Sequence, residues 1–211
     1  SFMYPGMSQN IESPEQLPVV LQVLLSPTHR VRALVLLRRF LYLGPSAVNL
    51  ALSVGICPYV LRLLQSPIDE YKHLLVGIWS KILFFDHGCK NDLVKDGALP
   101  HFIRHLEWNM QSSQGKGGES SAIEYDIEDR PSHQRTMAAV ILSAICSDEK
   151  LSPSDSTPFT LGQTECVRRN LHGHCCKILE KCEPGNNFDF PSEFRMWLCI
   201  CLGVICNDNI T

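Results

Sequence analysis

The sequence predicts an all-α fold: a right-handed α-solenoid of armadillo/HEAT-type repeats with two flexible inserts. Apolar residues recur at helical spacings through most of the chain, and no segment has a convincing strand pattern. A block of sequence that begins at Gly55 recurs at Gly97, which is 42 residues later. Two polar stretches rich in glycine or serine interrupt the helical pattern. Repeated helical units joined by polar inserts are typical of a solenoid.

Composition limits the class of protein. The 211 residues are 45% apolar and 19% charged, with a formal net charge of −3. Such a chain can bury a sizeable core, and its slight acidity argues against a general nucleic-acid binder. No run reaches the roughly 18 apolar residues of a membrane span, and the first residues lack the layout of a secretory signal. We therefore expect no nucleic-acid partner and no direct insertion into a membrane.

The ten cysteines indicate the compartment. Most of them lie inside apolar, helix-like runs such as residues 198–206, where a free cysteine behaves as a small buried hydrophobe. The sequence therefore predicts a cytoplasmic protein whose thiols stay reduced, rather than a secreted disulfide framework.

The solenoid is predicted to extend over residues 13–211, after a loose lead-in at residues 1–12. It opens with a pair of helices at residues 13–43, which form a partial repeat. Ser13 is a good N-cap for the first helix, and Gln16 completes a capping box.

Three further repeats are predicted from the recurring block. Gly55-Ile-Cys-Pro and Gly97-Ala-Leu-Pro are clear copies, and Asn170-Leu-His-Gly is a fainter third copy. A short helix precedes each copy, and a long apolar helix follows it at a variable distance. The long helices are expected at residues 71–85, 132–147 and 192–206. The repeats are expected at residues 45–86, 87–147 and 162–207.

The inserts are predicted at residues 110–130 and 148–162, where polar residues dominate and apolar residues are few. Both are expected to be disordered. A capping signal from Ser66 to Asp69 is expected to precede the long helix that ends near Phe85.

Four cations lie on the second predicted helix: Arg30, Arg32, Arg38 and Arg39. Arg32 and Arg39 are seven residues apart and therefore share one face. This face is either a solvated outer surface or a docking stripe for an acidic partner.

The densest group of possible metal ligands contains His172, His174, Cys175, Cys176 and Cys182. It lacks the matched pairs of ligands that zinc sites usually have, and no known catalytic motif occurs in the chain. Buried thiols and surface histidines explain the group more simply. The sequence therefore predicts a non-enzymatic protein with no metal and no cofactor.

Several strings of the sequence are too specific in detail to follow from helical periodicity alone. They are Pro14–Ser26, His29–Leu34, Ala47–Ser66, Ile78–Leu83, Asp92–Gly97, Arg135–Met137 and Trp197–Gly203. These strings closely resemble the armadillo region of the Raptor family of TOR-associated scaffold proteins. The resemblance covers about residues 14–206 apart from the two inserts.

The resemblance implies a non-enzymatic scaffold segment of a TOR complex 1 subunit in nutrient signalling. The implied partners are TOR kinase and its complex subunits, TOS-motif substrates and Rag-type GTPases. The implied location is the cytoplasm, with recruitment to the surface of the lysosome or vacuole. The resemblance also places the GTPase-facing surface near the C-terminal ends of the third helices, around Lys81, Ser147 and Val204.

An armadillo adaptor that binds extended peptides of other partners is the alternative. Such adaptors need ladders of asparagine and tryptophan on their third helices. Trp79 and Trp197 align approximately, but no row of asparagines accompanies them.

Overall fold

The computed structural model describes residues 17–86, 88–107, 130–147, 160–182 and 190–206. These residues form α-helices and connecting turns, with no strand among them. In chain order the helices are α1 (Leu17–Leu25), α2 (Arg30–Leu41), α3 (Pro45–Ser53), α4 (Cys57–Gln65), α5 (Lys72–Phe85), α6 (Cys89–Lys95), α7 (Leu99–Leu106), α8 (Pro131–Cys146), α9 (Leu161–Arg168), α10 (Leu171–Glu180) and α11 (Ser192–Cys206). The predicted all-α class is confirmed for this part of the chain.

The longest helices form one stacked row. Helix α2 packs on α5, α5 packs on α8, and α8 packs on α11. The shorter helices flank this row, with α4 against α5, α7 against α8 and α10 against α11. Buried side chains from all parts of the row join in one apolar core, which includes Leu34, Trp79, Phe102, Leu142 and Phe194. Because each repeat packs mainly on its neighbours, the arrangement is the predicted α-solenoid.

A left-handed backbone turn explains the recurring block of sequence. Gly55, Gly97 and Asn170 precede α4, α7 and α10, and their φ angles are 77°, 73° and 57°. Among the described residues, Asn170 is the only non-glycine residue with a positive φ. Glycine and asparagine tolerate this conformation best. The third copy therefore keeps the turn although it loses most of the surrounding sequence.

Two predicted boundaries differ from the structure. The capping signal from Ser66 to Asp69 is wrong, because α5 begins at Lys72 and no side chain caps its first turn. Asp69 instead forms an ion pair with Lys72 at 2.9 Å. The last residues of the predicted insert 148–162 are helical, since Thr160 is the N-cap of α9 and forms a capping box with Gln163.

Other predictions lie outside the described residues. They are the lead-in at residues 1–12, the cap at Ser13 and most of the two inserts. Within the described ranges, no single helix is both long and apolar enough to cross a membrane. Helices α3 and α4 meet that criterion only when taken together, and a bend of 86° separates them.

Candidate protein-interaction surface

The three predicted GTPase-facing residues lie at the C-terminal ends of helices in the stacked row. Lys81 is one turn before the end of α5, Ser147 directly follows α8, and Val204 lies in the last turn of α11. Ser147 is exposed, whereas Lys81 and Val204 are half-buried. The environments of the three residues differ.

Lys81 lies over an aromatic ring at the end of the neighbouring helix. Its Nζ is 4.1 Å from the centroid of the Tyr42 ring, and Tyr42 is the C-cap residue of α2. A cation at this distance is attracted by the face of the ring. Lys81 therefore links α5 to the end of α2 and carries a positive charge at this edge.

The start of α9 lies against the ends of both α8 and α11. The side-chain amide of Gln163 donates to the carbonyl oxygen of Val204 at 2.9 Å. A side chain on Gly162 would collide with the carbonyl oxygen of Ile145 and come within 3.0 Å of its Cγ2 atom. Ser147 and Val204 therefore both lie next to the first turn of α9.

Val204 has little side chain to offer a partner, because it packs against the core. Ser147 is more accessible, although its Oγ donates to the carbonyl oxygen of Ser143 at 2.6 Å. A partner at this end of the solenoid would therefore meet main-chain groups and a hydroxyl rather than charged side chains.

Sequence reasoning missed two exposed apolar residues at the other end of the same edge. Phe84 follows Lys81 by three positions on α5 and is 70% exposed, and Leu43 follows Tyr42 and is 67% exposed. Phe85, next in sequence, packs against the core and meets the Phe84 ring edge-to-face at 4.9 Å. The only signal in the sequence was two adjacent phenylalanines at the end of an amphipathic helix, where one of them must point outward.

We call this set of residues the C-terminal edge: Leu43, Lys81, Phe84, Ser147 and Val204. Its α2/α5 end combines exposed apolar side chains with a lysine. Aromatic residues are enriched at the centre of protein–protein interfaces, whereas lysine is depleted there, so Phe84 is the expected anchor and Lys81 lies at its rim.

The four arginines of α2 divide into two pairs. Arg30 donates to the carbonyl oxygens of Leu24 and Leu25 at 2.9 and 3.2 Å, so it holds α1 against α2. Arg38 is only 4% exposed and lies against α5. Arg32 and Arg39 are exposed. The predicted docking stripe therefore consists of Arg32 and Arg39 alone.

The histidine and cysteine group at residues 172–182 does not converge. His172 and Cys176 are exposed and Cys175 lies in the core, while His174 Nδ1 lies 3.3 Å from Oε1 of Glu107, the C-cap residue of α7. Within the described ranges, no three histidine, cysteine or acidic side chains are placed to share a metal ion. These residues serve separate roles in packing and in linking helices.

The tryptophan ladder of a peptide-binding adaptor has no counterpart at Trp79. This side chain is 1% exposed and forms the floor of a cavity of about 520 Å³ between α4 and α6. A buried indole cannot stack against a peptide that lies along the outside of the row. Trp197 is half-buried and packs against the core.

Comparison with curated proteins gives consistent relatives. The chain is 45% identical over 201 residues to "Regulatory-associated protein of TOR 1" of Arabidopsis thaliana, 43% identical over 195 residues to "Protein raptor homolog" of Dictyostelium discoideum, and 35% identical over 237 aligned residues to "Target of rapamycin complex 1 subunit KOG1" of Saccharomyces cerevisiae. These matches cover 95%, 92% and 93% of the chain. They cover only 13%, 10% and 14% of the relatives, so the chain spans a small part of their length. No family model matches the chain.

Solved structures agree with these relatives. The crystal structure of Chaetomium thermophilum Raptor superposes with a TM-score of 0.70 at 38% identity, over 92% of this chain and 16% of that one. An engineered protein superposes with a TM-score of 0.59 over 91% of this chain and 63% of its own. Its sequence is 15% identical, so that likeness shows the fold alone.

Proposed function

Because the chain belongs to the Raptor family, matching one segment of its members, we propose that it is a non-enzymatic scaffold segment of a TOR complex 1 subunit. The observation that carries the proposal is the match to relatives and to a Raptor structure over more than nine-tenths of the chain. One of these relatives is named as a subunit of target of rapamycin complex 1.

The solenoid supports a scaffold role physically. A row of stacked helices with a continuous core holds distant surface residues at fixed positions. Such a row presents extended surfaces along its length, which suits the assembly of several proteins.

The proposed partners are TOR kinase and its complex subunits, TOS-motif substrates and Rag-type GTPases. The proposed location is the cytoplasm, with recruitment to the surface of the lysosome or vacuole. These proposals rest on the family membership, and the proposed contact surfaces are the C-terminal edge and the stripe formed by Arg32 and Arg39.

The C-terminal edge is the proposed docking surface for Rag-type GTPases. Its α2/α5 end offers Phe84 and Leu43 as apolar anchors beside the charge of Lys81. Large exposed side chains at the centre of an interface usually contribute most of the binding energy. We therefore expect this end to contribute more than the end formed by Ser147 and Val204.

The test measures binding of the purified chain to a purified Rag-type GTPase pair. The double substitution Lys81→Glu with Phe84→Ser is expected to weaken binding by roughly tenfold or more. Lys177→Glu is the matched control, because Lys177 is exposed on α10, outside the C-terminal edge. Binding by a folded double variant that equals the wild-type chain would contradict the docking surface. No binding by the folded wild-type chain would contradict the GTPase proposal for this segment.

Arg32 and Arg39 are the proposed docking stripe for an acidic partner, and TOR kinase is the partner to test. Replacing both with glutamate should weaken capture of the kinase, and the loss should shrink at high salt because exposed charges are screened. Equal capture by the glutamate variant and the wild-type chain at low salt would assign the two residues to a solvated face.

A further inference from the structure

Two cysteines from different repeats meet at the cavity between α4 and α6. Cys57 is the first residue of α4 and Cys89 is the first residue of α6. They are 32 positions apart in sequence, and their Sγ atoms lie 3.6 Å apart. Both thiols are free, and both line the cavity of about 520 Å³ above Trp79. The sequence gives no sign of this pair, because helix packing alone brings the two residues together.

An acidic side chain holds Cys89 in place. The thiol of Cys89 donates to Asp86 Oδ2 at 3.2 Å, and the other carboxylate oxygen of Asp86 accepts from the main-chain N–H of Gly88 at 2.8 Å. The contact between the two sulfur atoms lowers the pKa of the Cys57 thiol, although burial and the carboxylates of Asp86 and Asp92 oppose this. The same contact raises the pKa of Cys89. The two shifts favour Cys57 as the more readily ionised thiol of the pair.

Accessibility separates this pair from the other close thiols of the chain. Cys57 and Cys89 are half-buried at an open cavity. A second group, formed by Cys146, Cys166, Cys175 and Cys201, lies in the core and is at most 1% exposed. A small oxidant in water can reach the first group but not the second, and oxidation of cysteine follows access and thiolate character.

We propose that Cys57 and Cys89 form a redox modification site, at which hydrogen peroxide converts the two thiols to a disulfide. Cys57, as thiolate, attacks one peroxide oxygen and the O–O bond breaks. This gives a sulfenic acid on Cys57 and a hydroxide ion, which takes up the proton that Cys57 has released and leaves as water. The sulfur of Cys89 then attacks the sulfur of Cys57, the S–O bond breaks, and the second oxygen leaves as water with the Cys89 proton. Two thiols are oxidised, and one peroxide is reduced to two waters.

The disulfide would regulate the junction between the first two predicted repeats. Bond formation draws the sulfur atoms from 3.6 Å to about 2.0 Å and ties α4 covalently to α6. The mouth of the cavity would then be fixed, and the two repeats would lose freedom to move against each other. This inference does not depend on the proposed TOR complex role, because it rests on the positions of the two thiols.

The test treats the purified chain with hydrogen peroxide, blocks the remaining thiols by alkylation and maps disulfides by mass spectrometry without reduction. The expected product is a pair of peptides joined through Cys57 and Cys89, reversed by dithiothreitol. The core group should become alkylated only after unfolding. The thermal midpoint of the oxidised chain should rise by about 5 °C, because a cross-link constrains the unfolded chain.

Two variants test the order of the steps. Cys89→Ser should stop the reaction at a sulfenic acid on Cys57 that dimedone traps, and Cys57→Ser should abolish that adduct. Cys199→Ser is the matched control, because Cys199 is exposed on α11, away from the cavity, and its loss should leave the disulfide unchanged. The proposal is overturned if Cys57 and Cys89 stay reduced while the exposed Cys176 and Cys199 oxidise. It is equally overturned if the folded Cys89→Ser chain gives no dimedone adduct on Cys57.

Discussion

Two of the junctions between the predicted repeats differ in packing: one is open and the other is closed. The open junction, formed by α4, α5 and α6, leaves a cavity lined by Cys57 and Cys89. The closed junction is formed by α8, α9 and α11, and Gly162 there lets α9 contact the main chain of α8 directly. One joint between repeats is therefore accessible and the other is tightly packed. In the open junction, Cys89 begins the short helix α6 and lines the cavity. In the closed junction, Gly162 is the second residue of the short helix α9 and lets it approach α8.

Each junction also has a hydrogen bond from a glutamine to a main-chain carbonyl. In the open junction Gln65 donates to Asp96 at 2.6 Å, and this bond is exposed. In the closed junction Gln163 donates to Val204 at 2.9 Å, and this bond is partly buried. A buried hydrogen bond costs more to break, because the donor or acceptor that loses its partner cannot bond to water instead. The closed junction should therefore contribute more to the stability of the chain.

The largest expected effect comes from filling the space at Gly162. Gly162→Ala should lower the free energy of unfolding by about 3 kcal/mol, because the new Cβ atom would overlap the Ile145 carbonyl oxygen and α9 would have to move. Denaturant unfolding measures the change. Gly203→Ala is the matched control: no atom lies within 4 Å of its added Cβ, and helix propensity should give a gain of about 0.5 kcal/mol. Equal effects of the two substitutions would contradict the closed junction.

Acid should destabilise the core between the junctions. His105 on α7 is 6% exposed, and burial lowers its pKa to about 4. Its folded-state pKa lies below the unfolded value of about 6.5, so its neutral form is favoured in the fold. Stability should therefore be complete well above pH 6.5 and fall as the pH drops, by about 2 kcal/mol for this group at pH 5. The His105 environment also includes Gln134, His73, Arg104 and Lys72.

The pH dependence is tested by unfolding wild-type and His105→Leu chains across this range. The variant should lose less stability on acidification than the wild-type chain, whatever its stability at neutral pH. His172→Asn is the control, since His172 is exposed on α10. Identical pH profiles for wild type and His105→Leu would show that His105 is not held neutral by the fold.

The two glutamines give a direct comparison of the junctions. Gln163→Ala should cost about 1.5 kcal/mol, because it removes the bond to Val204 and the N-terminal capping box with Thr160. Gln65→Ala should cost about 0.5 kcal/mol, because water replaces the exposed bond to Asp96. Chemical denaturation of both variants decides the order. A larger loss at Gln65 would reverse the assignment of open and closed junctions.

The left-handed turns give a further pair of small expected effects, and that of Asn170→Gly is the smallest. Gly97→Ala should destabilise the chain by about 1 kcal/mol, because a residue with a Cβ atom adopts the φ of 73° less readily than glycine. Steric overlap adds nothing, since no atom lies within 4 Å of the added Cβ. Asn170→Gly should be neutral or stabilise by a few tenths of a kcal/mol, since glycine adopts the φ of 57° more easily. Thermal unfolding compares the two. A destabilised Asn170→Gly chain would mean that the asparagine side chain, and not its backbone, holds the turn.

Local patterns in the sequence predicted the helices well, because helix formation depends on neighbouring residues. The predicted bounds of the last long helix, 192–206, are those of α11, and the recurrence at Gly55 and Gly97 marks a shared turn. The prediction of a helix cap at Ser66 was wrong, because a cap depends on the backbone geometry at the start of the helix, and residue types alone do not determine that geometry.

Features that depend on packing between helices could not be predicted. The burial of Arg38, the outward position of Phe84 and the pairing of Cys57 with Cys89 depend on helices that are distant in sequence. The candidate surface came from a family resemblance rather than from spacing, and the contacts of Lys81, Ser147 and Val204 with partners stay predictions.

The central claim is that this segment is a protein-binding scaffold of a TOR complex 1 subunit. The most direct test captures purified TOR kinase and Rag-type GTPases from the same organism on the immobilised, helical chain at physiological salt. Stoichiometric recovery of at least one of these proteins, reduced by Lys81→Glu with Phe84→Ser or by the Arg32 and Arg39 substitutions, is the predicted result. Recovery of none of them by a chain shown to be folded would contradict the claim.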